Sequence, residues 1–357
     1  MEYRKILENL SPYKPGKNLD EIKQEYGLEN VIKLASNENP YGTSPKVLKK
    51  ISNLDILETY PDNYCTSLRK KLSKKLNIPE NYFIFGNGSV EIIQMISRII
   101  LDNTSEAITC VPSFSSYWSE ATLQDSQMIE VPLKDYKFDL DTILSKINNK
   151  TKLIYITNPN NPTGTIVSHN ELNNFLEKVS KNILVVLDEA YYEFVTNKDY
   201  PDSIKLLKKH SNICILRTFS KAYGLAGLRI GYGITSPETI TELEKARVPF
   251  NASFISQQAA LTALDDFEFV NHCIKRNKEV LEYLYYELDK LNIFYIKSEA
   301  NFIMIDTKMD SKIAFEKLLK QGFIVRPGFP KMESFIRVTI GTMEQMKDFI
   351  TALKNII

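Results

Sequence analysis

The middle of this chain alternates short apolar runs rich in Ile, Val, Tyr and Thr with helix-like segments, and that alternation narrows the choice of fold more than any other feature. The runs lie at 82–85, 107–111, 128–131, 152–157, 183–187, 213–217 and 229–234. Several are apolar almost throughout, as strands covered on both faces must be. Helical patterns at 90–101, 168–181 and 204–210 fall between them. Strand alternating with helix predicts an α/β fold built on a mostly parallel central sheet flanked by helices.

Past residue 250 the texture changes. Helical runs at 257–264 and 268–291 are followed by strand-like runs at 293–296, 301–305 and 335–340, with helical patterns at 312–321 and 343–356. This predicts a smaller α+β domain. The opening residues carry Pro12, Pro15, Pro40 and Pro45 with no strong period, so they are expected to wrap the rest. The expected division is a large domain of 46–255 and a small one of 256–357 joined by the arm 1–45. In the run Arg69-Lys70-Lys71 to Lys74-Lys75 the basic residues alternate with Leu68, Leu72 and Leu76 at helical spacing, which predicts a solvated helix face.

Composition removes several function classes. With 45 Lys+Arg against 44 Asp+Glu the net charge is +1, which lacks the basic excess of a nucleic-acid binder. Apolar stretches reach roughly six residues, far short of a membrane span, and the opening MEYRKILENL lacks the apolar core of a secretory leader. A cytoplasmic protein is expected. Cys65, Cys110, Cys214 and Cys273 form no C-x-x-C pair, and His169, His210 and His272 are dispersed, so neither a metal site nor a disulfide framework is expected.

Ligands of parallel sheets bind at the carboxyl ends of the strands, where four segments stand out. Gly86-Asn87-Gly88-Ser89 permits a tight turn into a helix whose free N–H groups favour an anion, though such turns are also plain connectors. The stretch Thr157-Asn158-Pro159-Asn160-Asn161-Pro162-Thr163-Gly164 makes a rigid polar turn that can present an amide, or serve the turn alone. Asp188, in Leu187-Asp188-Glu189-Ala190-Tyr191, ends an apolar strand, where a carboxylate needs a partner unless it is an exposed helix cap. Lys221 lies among small and apolar residues between Ser220 and Arg229; partial desolvation would free its amine for Schiff-base chemistry, while an ordinary surface lysine is the plain alternative. Together they supply an anion cradle, an amide, a carboxylate and a lysine, the set that pyridoxal 5'-phosphate requires.

These segments, N-P-N-N-P-T-G, D-E-A-Y and S-K-A-Y-G-L-A-G-L-R-I-G-Y, resemble those of the fold-type I pyridoxal-phosphate aminotransferases. More narrowly the chain resembles the histidinol-phosphate aminotransferase family, from L-S-P-Y-K-P-G and L-A-S-N-E-N-P-Y-G to I-R-V-T-I-G-T, nearly its whole length. The resemblance implies a fold-type I architecture and these roles. Lys221 would carry the Schiff base and shuttle protons, and Asp188 would hold the pyridine nitrogen protonated. Asn161 and Tyr191 would hydrogen-bond the ring hydroxyl and Phe114 would stack on the ring. Gly88, Ser89, Val90, Ser220 and Arg229 would hold the cofactor phosphate. Tyr60 would reach the phosphate of a partner subunit's cofactor, which implies a homodimer with shared active sites. Arg326 and Arg337 would bind the substrate phosphate or, in the other half-reaction, the carboxylate of glutamate, and Tyr13 would close over the substrate's distal group. The family usually has an acidic residue where this chain has Val90; a main-chain contact to phosphate survives that change, but a side-chain contact does not. The implied reaction exchanges an amino group between L-glutamate and a phosphorylated keto alcohol, first of all imidazole acetol phosphate. A sibling enzyme making serinol phosphate from dihydroxyacetone phosphate, or a phospho-amino-acid decarboxylase, would use the same scaffold.

Overall fold

In the computed structural model, which describes residues 1–12, 19–54 and 58–357, the seven apolar runs become the seven strands of one sheet. They are β1 Phe83–Gly86, β2 Glu106–Val111, β3 Gln127–Pro132, β4 Thr151–Thr157, β5 Leu184–Asp188, β6 Ile213–Thr218 and β7 Gly231–Ile234. Their order is β1-β7-β6-β5-β4-β2-β3, with β7 antiparallel to both neighbours and the remaining pairs parallel. Alternate residues feed two apolar layers. Ile154, Ile156, Val185, Leu187 and Ile215 pack on one face, and Leu153, Tyr155, Val186, Cys214 and Leu216 on the other. Covering both faces is why these strands read as continuous apolar runs.

Register places the site. Thr157 pairs with Asp188, and Asp188 with Leu216, so β4 and β5 end level with one another and β6 runs on two residues further, to Thr218. The three loops that leave those ends carry the asparagine–proline turn, the segment after Asp188 and the lysine segment. The fourth, after β1, leads into α1 (Ser89–Ile100), whose Ile92, Ile93, Met95 and Ile96 are buried against the sheet.

A second sheet holds β8 Tyr295–Ile296, β9 Phe302–Asp306 and β10 Phe335–Thr339 in the antiparallel order β10-β9-β8. Helices α2 (Phe267–Lys290), α3 (Ser311–Leu319) and α4 (Met343–Lys354) share its core through Leu284, Leu288, Ala314, Leu318, Phe349 and Leu353. Leu34 of the N-terminal arm joins this core, and Ile32–Lys33 pairs in parallel with Phe323–Ile324. The helix Phe254–Ala263, by contrast, contributes Ala259, Ala260 and Ala263 to a core cluster of the large sheet.

Three local expectations need correction. The strand expected from residue 229 starts at Gly231, because Arg229 takes a left-handed backbone with φ of +52°. The basic run does form a helix, Thr66–Leu76, but Arg69 is not part of a solvated face. Its guanidinium donates to the carbonyls of Glu80 and Phe83 at 2.9 and 2.6 Å and lies 5.5 Å from the Phe85 ring centroid. Five short helices, Leu19–Tyr26, Pro45–Ser52, Ser116–Leu123, Leu140–Lys146 and Pro237–Ala246, have no counterpart in the predicted elements. Helices this short draw their stability from tertiary packing rather than from a long periodic pattern.

Candidate active site

A cavity of about 350 Å³ opens at the carboxyl ends of β4, β5 and β6. Ser89, Val90, Phe114, Asn161, Asp188, Tyr191, Ser220, Lys221 and Arg229 all line it, so nine side chains predicted from scattered motifs converge on one space.

The anion cradle comes first in the chain. Gly88 has φ of +75°, and a Cβ there would lie 2.5 Å from Nη2 of Arg229. Glycine therefore suits the positive-φ turn, and a side chain there would displace the guanidinium from its place. Gly231 is equally constrained, since its Cβ would lie 2.6 Å from the Ser89 nitrogen. Arg229 Nη1 donates to Ser220 Oγ at 3.3 Å, and Nη2 to the Asn87 carbonyl at 3.4 Å. Among the described residues no carboxylate lies within ion-pair distance of this guanidinium, which leaves its charge for a ligand. Glu91 accepts from the Asn87 N–H and from Asn251, so the acid beside Val90 anchors the turn. Free helix N–H groups, a hydroxyl and an arginine make a site chemically suited to a phosphate.

Asp188 closes β5 and is 3% exposed. Tyr117 donates to its Oδ2 at 2.8 Å and the Ala190 N–H to its Oδ1 at 3.1 Å. Burial dominates over these bonds and pushes the carboxyl up to about 6. Its neighbour Glu189 points to the opposite side and pairs with Arg217 at 2.9 Å, a buried ion pair capped by the Tyr192 ring. One residue of strand alternation thus separates a carboxylate left for a ligand from one consumed internally.

Lys221 donates from Nζ to the Ser36 carbonyl at 3.2 Å and lies 5.5 Å from the Tyr191 ring centroid. Burial, reinforced by the charge of Arg337, lowers its ammonium to about 8. A fraction of the amine is therefore neutral and nucleophilic near neutral pH. Gly224 N–H bonds the Lys221 carbonyl, and Gly224 itself, with φ of +69°, packs directly under Gly42.

The three asparagines of the β4 turn divide their work. Asn158 exchanges two bonds with the Val167 main chain, and Asn160 ties Pro112, Ser113 and Thr163 together. Asn161 faces the cavity, its Oδ1 accepting from Nη1 of Arg337, so its amide N–H groups are turned toward a ligand. Tyr191 accepts from Asn37 Nδ2 at 3.0 Å, and burial raises the phenol above its ordinary range. Phe114 stands edge-on to Tyr117, with ring centroids 5.6 Å apart.

The substrate-side residues are less concentrated. Arg337, on β10, also donates to the Ala35 carbonyl at 2.6 Å, between the rings of Phe302 and Phe329. Arg326 exchanges two main-chain bonds with Arg337 and has an exposed side chain. Tyr60 is 82% exposed and stacks on Phe250 with centroids 4.7 Å apart, away from this cavity. Tyr13 lies outside the described residues. Two residues escaped the motif reading. Tyr117, one tyrosine among 19, has no local mark that ties it to Asp188. Asn37 lies in the quoted L-A-S-N-E-N-P-Y-G segment, but only the fold brings it to Tyr191.

Residues 29–353 match the family Aminotransferase class I and II. The chain belongs to the class I and II aminotransferases. It is 46% identical to the histidinol-phosphate aminotransferase of Geobacillus sp. (strain WCH70), over 100% of this chain and 98% of that protein. It is 47% identical to that of Brevibacillus brevis, over 100% and 99%. The histidinol-phosphate aminotransferase of Sinorhizobium meliloti, solved in complex with pyridoxal-5'-phosphate, superposes with a TM-score of 0.91 over 99% of this chain and 97% of that one, at 24% identity. That likeness establishes the shared fold. For an aminotransferase, the lysine, the buried carboxylate and the phosphate-suited cradle form a coherent donor set, and the cradle that a Cβ on Gly88 would fill is its clearest signature. Among the described residues no helix is long and apolar enough to cross a membrane.

Proposed function

We propose that this chain is a pyridoxal 5'-phosphate-dependent aminotransferase that passes the amino group of L-glutamate to imidazole acetol phosphate, yielding histidinol phosphate and 2-oxoglutarate in histidine biosynthesis. The observation that carries the reading is the convergence of Lys221 and Asp188 on one cavity in a chain 46% identical, end to end, to histidinol-phosphate aminotransferases. Pyridoxal 5'-phosphate, when bound, supplies an aldehyde for amine exchange and a ring that draws electrons from the reacting carbon.

The protein's part is to bind, orient and move protons. Gly88, Ser89 and Val90 main-chain groups, with Ser220 and Arg229, would hold the phosphate, and Phe114 would lie against the ring. Asp188 would sit at the ring nitrogen, its charge favouring a proton there. Asn161 and Tyr191 would donate to the ring oxygen. Lys221 would hold the aldehyde and, once released by substrate, carry a proton between the substrate carbon and the cofactor. Arg337 and Arg326 would bind the phosphate of one substrate and the distal carboxylate of the other, a task that suits guanidinium geometry, with Tyr13 over the distal group.

The reading includes a cytoplasmic homodimer in which the exposed Tyr60 serves the second copy's cavity. The stacked and exposed Tyr60–Phe250 pair supports that arrangement, and four free buried thiols suit a reducing compartment. It also divides the chain into bodies of 46–255 and of 1–45 with 256–357; the separate cores of the two sheets support a division into two bodies, while the packing of Ala259, Ala260 and Ala263 on the large sheet argues for a boundary beyond the helix Phe254–Ala263.

The test is single-turnover spectroscopy of the cofactor-loaded protein mixed with histidinol phosphate. Conversion of the bound cofactor's absorbance to that of its aminated form is expected. Conversion by glutamate with none by histidinol phosphate would move the substrate to a smaller phosphorylated ketone.

A further inference from the structure

Asn37 is 1% exposed and has a left-handed backbone with φ of +54°. Its hydrogen-bonding groups are all engaged. The N–H donates to Thr339 Oγ1 at 2.9 Å, and Oδ1 accepts from the same hydroxyl at 3.0 Å. The carbonyl accepts from Asn301 Nδ2 at 3.1 Å, and Nδ2 donates to the Tyr191 hydroxyl at 3.0 Å. Thr339 ends β10 and Asn301 directly precedes β9, whereas Tyr191 follows β5 of the large sheet. One side chain therefore joins the small sheet to a residue of the cavity.

The donor–acceptor accounting sets the direction of each bond. The Thr339 hydroxyl receives the Asn37 N–H, so its own proton is available for Oδ1, which turns Nδ2 toward Tyr191. A phenol has one proton and two lone pairs. With a lone pair filled by an amide donor, the Tyr191 proton is left for the cavity that this side chain lines. Asparagine meets both demands of the position, since it tolerates the left-handed backbone and carries a donor beside an acceptor. Aspartate lacks the donor and glycine lacks the side chain.

We propose that Asn37 is a positioning residue that keeps the Tyr191 phenol donating into the cavity and links this donor to strand β10, so that the seating of the small sheet is felt at the cofactor's ring oxygen. The proposal rests on the reading of Tyr191 as a ring-oxygen donor.

The experiment titrates the absorbance of bound pyridoxal 5'-phosphate against pH in the wild type, Tyr191→Phe, Asn37→Gly, Asn37→Asp and the double variant Asn37→Asp/Tyr191→Phe, with cofactor affinity and melting temperature measured alongside. A donor favours the ionised ring oxygen, so its loss raises the midpoint. Tyr191→Phe should raise it by about one pH unit, the worth of one hydrogen bond to a charged group. Asn37→Asp should match that shift, because a carboxylate draws the phenol proton away from the cavity. Asn37→Gly, which keeps the backbone conformation, should give part of it. The double variant should shift no further than Tyr191→Phe. Wild-type midpoints in both Asn37 variants beside a displaced Tyr191→Phe would overturn the proposal. So would an additive double variant, which would mean that the introduced carboxylate acts by charge alone. An undisplaced Tyr191→Phe would overturn the reading of Tyr191 itself, and the proposal with it.

Discussion

The side chains beneath the cavity stand at the ends of neighbouring strands of one sheet, whereas those on its substrate side come from opposite ends of the chain. Asp188 and Lys221 are 33 positions apart and follow adjacent strands held in register. Arg337 instead reaches the Ala35 carbonyl across 302 positions, and Asn37 reaches Thr339 across the same interval. The first group is set by short local turns on a rigid, doubly covered sheet. The second exists only when the arm and the small sheet have docked. On the proposed reading, the groups that hold the cofactor thus share one rigid sheet, while the arginine proposed to bind substrate anions, Arg337, is carried by the other sheet.

The sharpest break of that contrast is at Lys221. Lys221→Ala should lower turnover by roughly 10³-fold or more and remove the absorbance of covalently held cofactor. A variant that kept both would take Lys221 out of the floor of the site.

Asp188→Asn should still bind cofactor and lose about 10²–10³-fold in rate, measured under saturating substrates. It also has a signature in the cofactor-free protein. Asp188 is raised in the fold from 3.8 to about 6, so its protonated form is the favoured one. That contribution is complete below pH 4 and is lost as the pH rises through about 6, a difference of about 3 kcal/mol. The amide that replaces it has no charge to bury. The cofactor-free variant should therefore melt above the wild type at pH 8, with the gap closing between pH 6 and 4. A gap that is constant with pH would show that burial is not what holds Asp188 up.

On the substrate side, Arg337→Ala should cost about 10²-fold in kcat/KM for both glutamate and the phosphorylated substrate, the value of a lost charged hydrogen-bond pair. A loss confined to one substrate would show that the two anions use different sites. Tyr117→Phe should have the mildest effect, roughly 10-fold in rate, since Asp188 keeps its bond from the Ala190 N–H. Comparison of cofactor affinity in the two variants sharpens the contrast further: Tyr117→Phe should weaken it, and Arg337→Ala should act mainly through KM.

How much of this was legible depends on how local each signal is. The apolar runs announced the central sheet because burial on both faces removes the polar alternation. The four loops announced the residues that line the cavity because a tight turn, a polar amide turn, a strand-terminal carboxylate and a lysine among small residues each leave a mark within a dozen positions. The short helices did not, because their stability lies in contacts with distant elements. Arg69 read as one cation in a basic run, yet the carbonyls that claim it belong to Glu80 and to Phe83 at the start of β1. Tyr117 and Asn37 were silent for the same reason.

The sequence by itself determined the α/β class, the chemical kind of groups at the strand ends and the family, since these depend on periodicity and on residues close together in the chain. Only the tertiary structure decided which of the neighbouring Asp188 and Glu189 faces the cavity, which of three asparagines is left for a ligand, and which residues orient Tyr191 and Asp188. Those outcomes depend on register, on the side to which each residue points and on contacts across hundreds of positions, which exist only once the two sheets and the arm are packed together.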